Sequence, residues 1–158
     1  MDEAEAKLRS LAKVVVRRRR GLPYATVYLP PERDLDYLKR LVEASAGLAK
    51  VEREALGHAY RALASAGALP GASRLLGLTD ILRRELRALE RAERSLEAAA
   101  SSGSMYEISR AAGRYAARAA RLAALMRLAL SQAAEAARAQ QAQAQGRQGR
   151  EEAQGAPA

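Results

Sequence analysis

Apolar residues recur along most of this chain at the three- and four-residue spacing of helices. The first stretch, Asp2 to about Arg18, predicts a helix whose first-turn acids suit the helix dipole. It runs into Arg17-Arg18-Arg19-Arg20 and breaks at Gly21 and Pro23. Tyr24-Ala25-Thr26-Val27-Tyr28-Leu29 is then an alternating β-branched and aromatic stretch, which fits one short strand or simply extended chain. Pro30-Pro31 ends it and suits the start of a helix.

Leu35, Leu38, Leu41 and Val42 predict a second helix over Glu32–Ala46, ended by Gly47. Val51, Ala55, Leu56, Ala59 and Leu63 predict a third over Leu48–Ala66, stopped by Gly67, Pro70 and Gly71. A fourth runs from Ser73 to Ala100, with Leu75, Leu82, Leu89 and Leu96 at the seven-residue interval of a packed helix pair. After Ser101-Ser102-Gly103, the capping pattern Ser104-Met105-Tyr106-Glu107 opens a fifth helix reaching about Gln140. The remainder is rich in Ala, Gln, Gly and Arg and is expected to be disordered without a partner. The expected fold class is all-α: a bundle of four to five helices with an extended C-terminal helix. Its expected parts are a basic N-terminal arm (1–29), a helical body (30–140) and a low-complexity tail (141–158).

Charge changes this picture most. The 158 residues carry 27 Lys and Arg against 18 Asp and Glu, a formal net charge of +9. The excess lies at the ends: residues 1–29 and 104–158 each carry +4, residues 30–70 are neutral and residues 71–103 carry +1. Such a balance favours polyanionic partners, nucleic acid before an anionic membrane surface. Arg accounts for 23 of the basic residues and Lys for 4; the guanidinium fork matches phosphate oxygens.

Two arginine groups stand out. Arg17, Arg18, Arg19 and Arg20 form an uninterrupted run. Arg110, Arg114, Arg118 and Arg121 fall within about 80° of one helix face, a ridge roughly 16 Å long. No acid occurs between Glu107 and Glu135, so the ridge lacks local partners, and Ala111, Ala117 and Ala120 leave room for a phosphate backbone. Ile108, Tyr115, Leu122 and Ala129 line a separate apolar seam. Arg83, Arg87, Arg91 and Arg94 repeat the spacing with Glu85, Glu90, Glu93 and Glu97 interspersed, which predicts ion pairing within that helix.

Without Cys there is no disulfide, thiolate or zinc–sulfur chemistry; neither paired-carboxylate, metal-ligand nor Gly-rich phosphate motifs occur. No enzyme, cofactor, metal or small-molecule substrate is expected. The absence of Cys and Asn beside abundant Arg and Ala suggests a hot-living source. The acidic start lacks the apolar core of a signal peptide, and no apolar run approaches the ~20 residues that span a bilayer. A soluble protein made in the cytoplasm is expected.

Three family resemblances are carried by particular residues. Arg53-Glu54-Ala55-Leu56-Gly57-His58-Ala59-Tyr60 resembles the Arg-His-Tyr element of the HEPN ribonuclease toxins, though Glu54 departs from its usual polar residue. Thr26-Val27-Tyr28-Leu29-Pro30-Pro31-Glu32 with Leu35–Leu41 resembles the opening of ribbon-helix-helix repressors; this implies Tyr24, Thr26 and Tyr28 facing DNA and Ala25, Val27 and Leu29 facing a core. The helices joined through Gly57–Gly71 are similar to the body of major capsid proteins of filamentous archaeal viruses (rudiviruses, lipothrixviruses, tristromaviruses).

The last resemblance implies a structural subunit that coats double-stranded DNA in a helical virion. Arg17–Arg20 and Arg110, Arg114, Arg118 and Arg121 would meet phosphates. The Leu75/Leu82/Leu89/Leu96 and Ile108/Tyr115/Leu122 seams would join it to copies of itself or to a paralogous subunit. The alternatives are a ribbon-helix-helix regulator and a small helical subunit of an RNA-guided defence complex.

Overall fold

A computed structural model describes residues 2–68 and 73–155, the side chains of Ser73 and of 150–155 excepted. It shows a helical bundle carrying one β-hairpin, in the order α1 (Glu3–Leu11), β1 (Lys13–Arg19), β2 (Leu22–Tyr28), α2 (Leu35–Gly67), α3 (Ser73–Ser102) and α4 (Met105–Gly155).

The first helix is half as long as its acidic start and apolar spacing suggest. Asp2 caps it, accepting from the Glu5 amide at 2.9 Å, and it ends at Leu11 with Ala12 extended. The β-branched run Val14-Val15-Val16 leads β1 instead, and it finds a partner in the alternating stretch read as strand or extended chain. The two strands pair antiparallel from Lys13↔Tyr28 to Arg19↔Leu22. Arg20 (φ 54) and Gly21 (φ 80) make the two-residue turn, whose left-handed backbone matches strand twist. Pro23 is tolerated because its pair with Arg18 lies one step from the hydrogen-bonded closing pair, so its nitrogen faces away from β1. The hairpin's inner face (Val14, Pro23, Ala25, Val27) packs inward, while Tyr24, Thr26 and Tyr28 are exposed, the two faces that the ribbon-helix-helix resemblance implies.

Gly47 does not break α2. One helix runs from the Asp34 cap (accepting from the Tyr37 amide at 2.7 Å) to Gly67. Burial of Leu41, Ala44, Leu48 and Ala49 on both sides of the glycine outweighs its cost of about 1 kcal/mol. At the next turn Gly103 (φ 71) reverses the chain, and Ser104 Oγ accepts from the Glu107 amide at 3.3 Å. The last helix continues through Gly155, although disorder is expected beyond residue 140. Ala, Gln and Arg are good helix formers, and residues 141–149 are exposed along it. At 51 residues α4 is about 76 Å long, some 27 Å longer than α2.

The core lies between α2, α3 and α4, and the N-terminal segment packs into it through Leu8, Ala12 and Val14. Alanines 112, 116, 119 and 123 let the helices approach α4 closely, and Leu122, Leu125 and Met126 fill the remaining space. Leu75, Leu82, Leu89, Tyr115 and Leu122 are buried here, with Leu96 and Ile108 partly buried. The seams expected to join subunits are therefore intrachain core, because α3 and α4 of one chain satisfy each other. A Cβ added at Gly113 would meet Leu29 at 3.4 Å, which places the residue after β2 against this part of α4.

Three acids are buried among the leucines: Glu5, Glu52 and Glu85. Glu5 is bonded by Arg127 through both guanidinium nitrogens and lies 3.4 Å from Arg9. Glu52 lies near this cluster, and its pKa is raised from the usual carboxylate value by burial, then by Asp2 and Glu5, with Arg127 opposing. A raised folded-state pKa means the neutral form favours folding; that contribution is complete below the unfolded value and is lost as pH rises through the folded one. Glu52→Gln should therefore raise the melting temperature at neutral pH. The gain should vanish below the ordinary carboxylate range, as a pair of melting curves at the two pH values would show.

Candidate nucleic-acid interface

The hairpin turn presents Arg17, Arg18, Arg19 and Arg20 to solvent, all four exposed. Among the described residues no ion pair involves them, nor Arg110 or Arg114. The chain bends sharply at the turn, so the run is not a helix face but a cationic tip. Arg17 pairs across the strands with Tyr24, on the same outer face as Thr26 and Tyr28.

The hairpin lies along α4 in the opposite direction, with Leu29 near Gly113 and Pro23 at Arg121. An open groove of about 990 Å³ runs between β2, α3 and α4. Alanines from α3 and α4 line it, together with Arg91, Arg110, Arg114, Arg118, Arg121, Tyr24 and Ser95, and Glu107 is its one acid. Tyr24 belongs both to the groove and to the hairpin's outer face. Arg17 of the tip and the arginines of the ridge, nearly a hundred residues apart in sequence, thus meet at Tyr24.

Within the ridge the arginines are not equivalent. Arg110 and Arg114 are exposed. Arg118 approaches the Glu85 carboxylate at 3.4 Å with its side chain 45% exposed. Arg121 bonds the same carboxylate, is only 16% exposed, donates from Nε to the Pro23 carbonyl at 3.2 Å, and stacks over the Tyr24 ring at 4.4 Å. The expectation that the ridge lacks acidic partners is corrected here: its partner comes from α3, through space.

Two glutamates of α3 reach arginines of other helices rather than the arginines interspersed with them. Glu85 goes to α4, and Glu93 accepts from Arg53 of α2 at 2.6 Å and from the Tyr115 hydroxyl at 3.3 Å. Burial, with Glu93 beside it, pushes Tyr115 up to about 12. Arg83 makes only a long local contact, 3.9 Å from Asp80, and lies over Tyr60 at 5.7 Å. Arg53, His58 and Tyr60 thus have separate neighbours: Glu93, the alanine-lined surface of α4, and Arg83.

From the sequence, Arg91 and Glu85 are expected only to pair within their own helix, and Tyr24 is expected to face DNA only on the ribbon-helix-helix resemblance. Glu85 left a sequence signal, standing three residues after Leu82 and four before Leu89 on the buried face. Spacing could not supply the meeting of Arg91 and Tyr24 with the ridge, which the packing of α3 and of the hairpin against α4 produces. Among the described residues no group of three His, Cys, Asp or Glu could hold a metal ion, and no helix is long and apolar enough to cross a membrane. No protein-family model, curated protein or solved structure matches this chain.

Proposed function

We propose that this protein binds double-stranded DNA irrespective of sequence, as a structural subunit that coats its partner rather than as an enzyme. The observation that carries the reading is the shared surface of the Arg17–Arg20 tip and the Arg110–Arg114 groove wall, bridged by Tyr24. Exposed guanidinium groups without acidic partners bind backbone phosphates and release counterions, and such contacts ignore base sequence. The finer reading, a capsid subunit of a filamentous archaeal virus located in the virion, rests on the resemblance around Gly57–Gly71. With the leucine seams used inside the chain, contacts between copies must come from other surfaces, such as the exposed end of α4.

A second reading has its own support. Tyr24, Thr26 and Tyr28 project from one face of a two-stranded ribbon, an element that fits the major groove, although α2 runs unbroken where a ribbon-helix-helix regulator has two helices. Here both strands come from one chain, so no strand exchange between subunits is needed to form the ribbon.

Titrating long random-sequence duplex at several salt concentrations tests the proposal. Binding should weaken steeply with salt and saturate at regular spacing, and electron microscopy of the saturated complex should show filaments. Strong preference for one palindromic site would favour the regulator. Indifference to both DNA and RNA at low ionic strength would sink the nucleic-acid reading.

A further inference from the structure

We propose that Arg121 is a positioning residue and not a phosphate contact: with Glu85 it clamps the hairpin onto the bundle so that the arginine tip and the groove face one polyanion. The inference rests on the nucleic-acid reading above and assigns roles within that surface.

Arg121 faces inward. Its guanidinium is bonded to a carboxylate that is itself 1% exposed, and its Nε donates to the Pro23 carbonyl. Pro23 stands on the free edge of β2, where a two-stranded sheet leaves carbonyls without partners. The planar fork can serve the carboxylate, the carbonyl and the Tyr24 face together, whereas an ammonium has no equivalent geometry. One side chain from α4 therefore holds the strand edge, and α3 holds that side chain through Glu85.

The consequence for binding is a division of labour. Arg110 and Arg114 are available to phosphates, whereas Arg118 and Arg121 share one buried negative charge. Glu85 thereby limits how many ridge charges a polyanion can use, and the hairpin tip gains its fixed direction in exchange.

Hydrogen exchange of the unliganded protein and salt-dependent binding to a random-sequence duplex test this together. In Arg121→Lys, amides of residues 13–28 should exchange about tenfold faster while α2 and α3 keep their protection, and duplex affinity should fall several-fold. In Arg121→Gln the slope of log affinity against log salt should stay at the wild-type value, since no phosphate contact is lost. Glu85→Gln should raise that slope by about 0.9 by releasing Arg118. If it does not fold, the two Arg121 variants decide the matter. Unchanged hairpin exchange in Arg121→Lys, or a slope lowered by about 0.9 in Arg121→Gln, would overturn the proposal. Wild-type protein that binds no duplex would instead overturn the reading beneath it, and hairpin exchange would then decide the clamp alone.

Discussion

Replacing Arg17, Arg18, Arg19 and Arg20 together by Gln is expected to weaken binding to long duplex DNA on the order of a thousandfold at physiological salt. Each phosphate contact contributes about 0.9 to the slope of log affinity against log salt, so four lost contacts lower it by roughly 3.6. The substitution leaves the fold intact for a local reason. All four side chains are exposed and none takes part in an ion pair among the described residues, whereas the hairpin is held by backbone pairing and its inner face. Melting temperature should therefore stay close to wild type, and circular dichroism beside the salt titration checks both halves. An unchanged slope would show that the tip does not touch the polyanion.

The largest loss of stability is expected from Arg127→Met. Glu5 is 2% exposed, and Arg127 supplies its two-pronged partner across 122 residues of chain, joining α1 to α4. Removing one partner of a buried pair leaves an uncompensated charge, which costs about 3–5 kcal/mol. Arg127 is itself half-exposed, so water screens part of the interaction and the lower end of that range applies. Arg9, 3.4 Å from Glu5, compensates only in part. The loss should be greater at neutral than at acidic pH, because Glu52 also forfeits the positive charge that opposes its raised pKa. Denaturant unfolding at both pH values would measure this; equal losses would mean that neither buried carboxylate depends on Arg127.

The sites of these buried acids were open to a closer sequence reading. Glu5 precedes Leu8 by three residues, Glu52 lies four from both Leu48 and Leu56, and Glu85 lies between Leu82 and Leu89. At helical spacing each stands on a buried face. What the spacing could not supply was the partner, because Arg127, Arg118 and Arg121 reach these acids through space rather than along a helix. The same reason explains the first helix. Val14-Val15-Val16 is compatible with either state locally, and only pairing with Leu22–Tyr28 makes it a strand.

Periodicity and composition settled the helical class, the span of α3, the start of α4 and the positions of charge excess. These follow from contacts a few residues apart, which a linear pattern records. Tertiary structure decided that Gly47 lies within a helix, that the leucine seams close inside one chain, and that the hairpin lies along α4 with its arginines beside the groove. Each of those outcomes depends on burial shared between distant segments, a free energy that no local stretch of the chain carries.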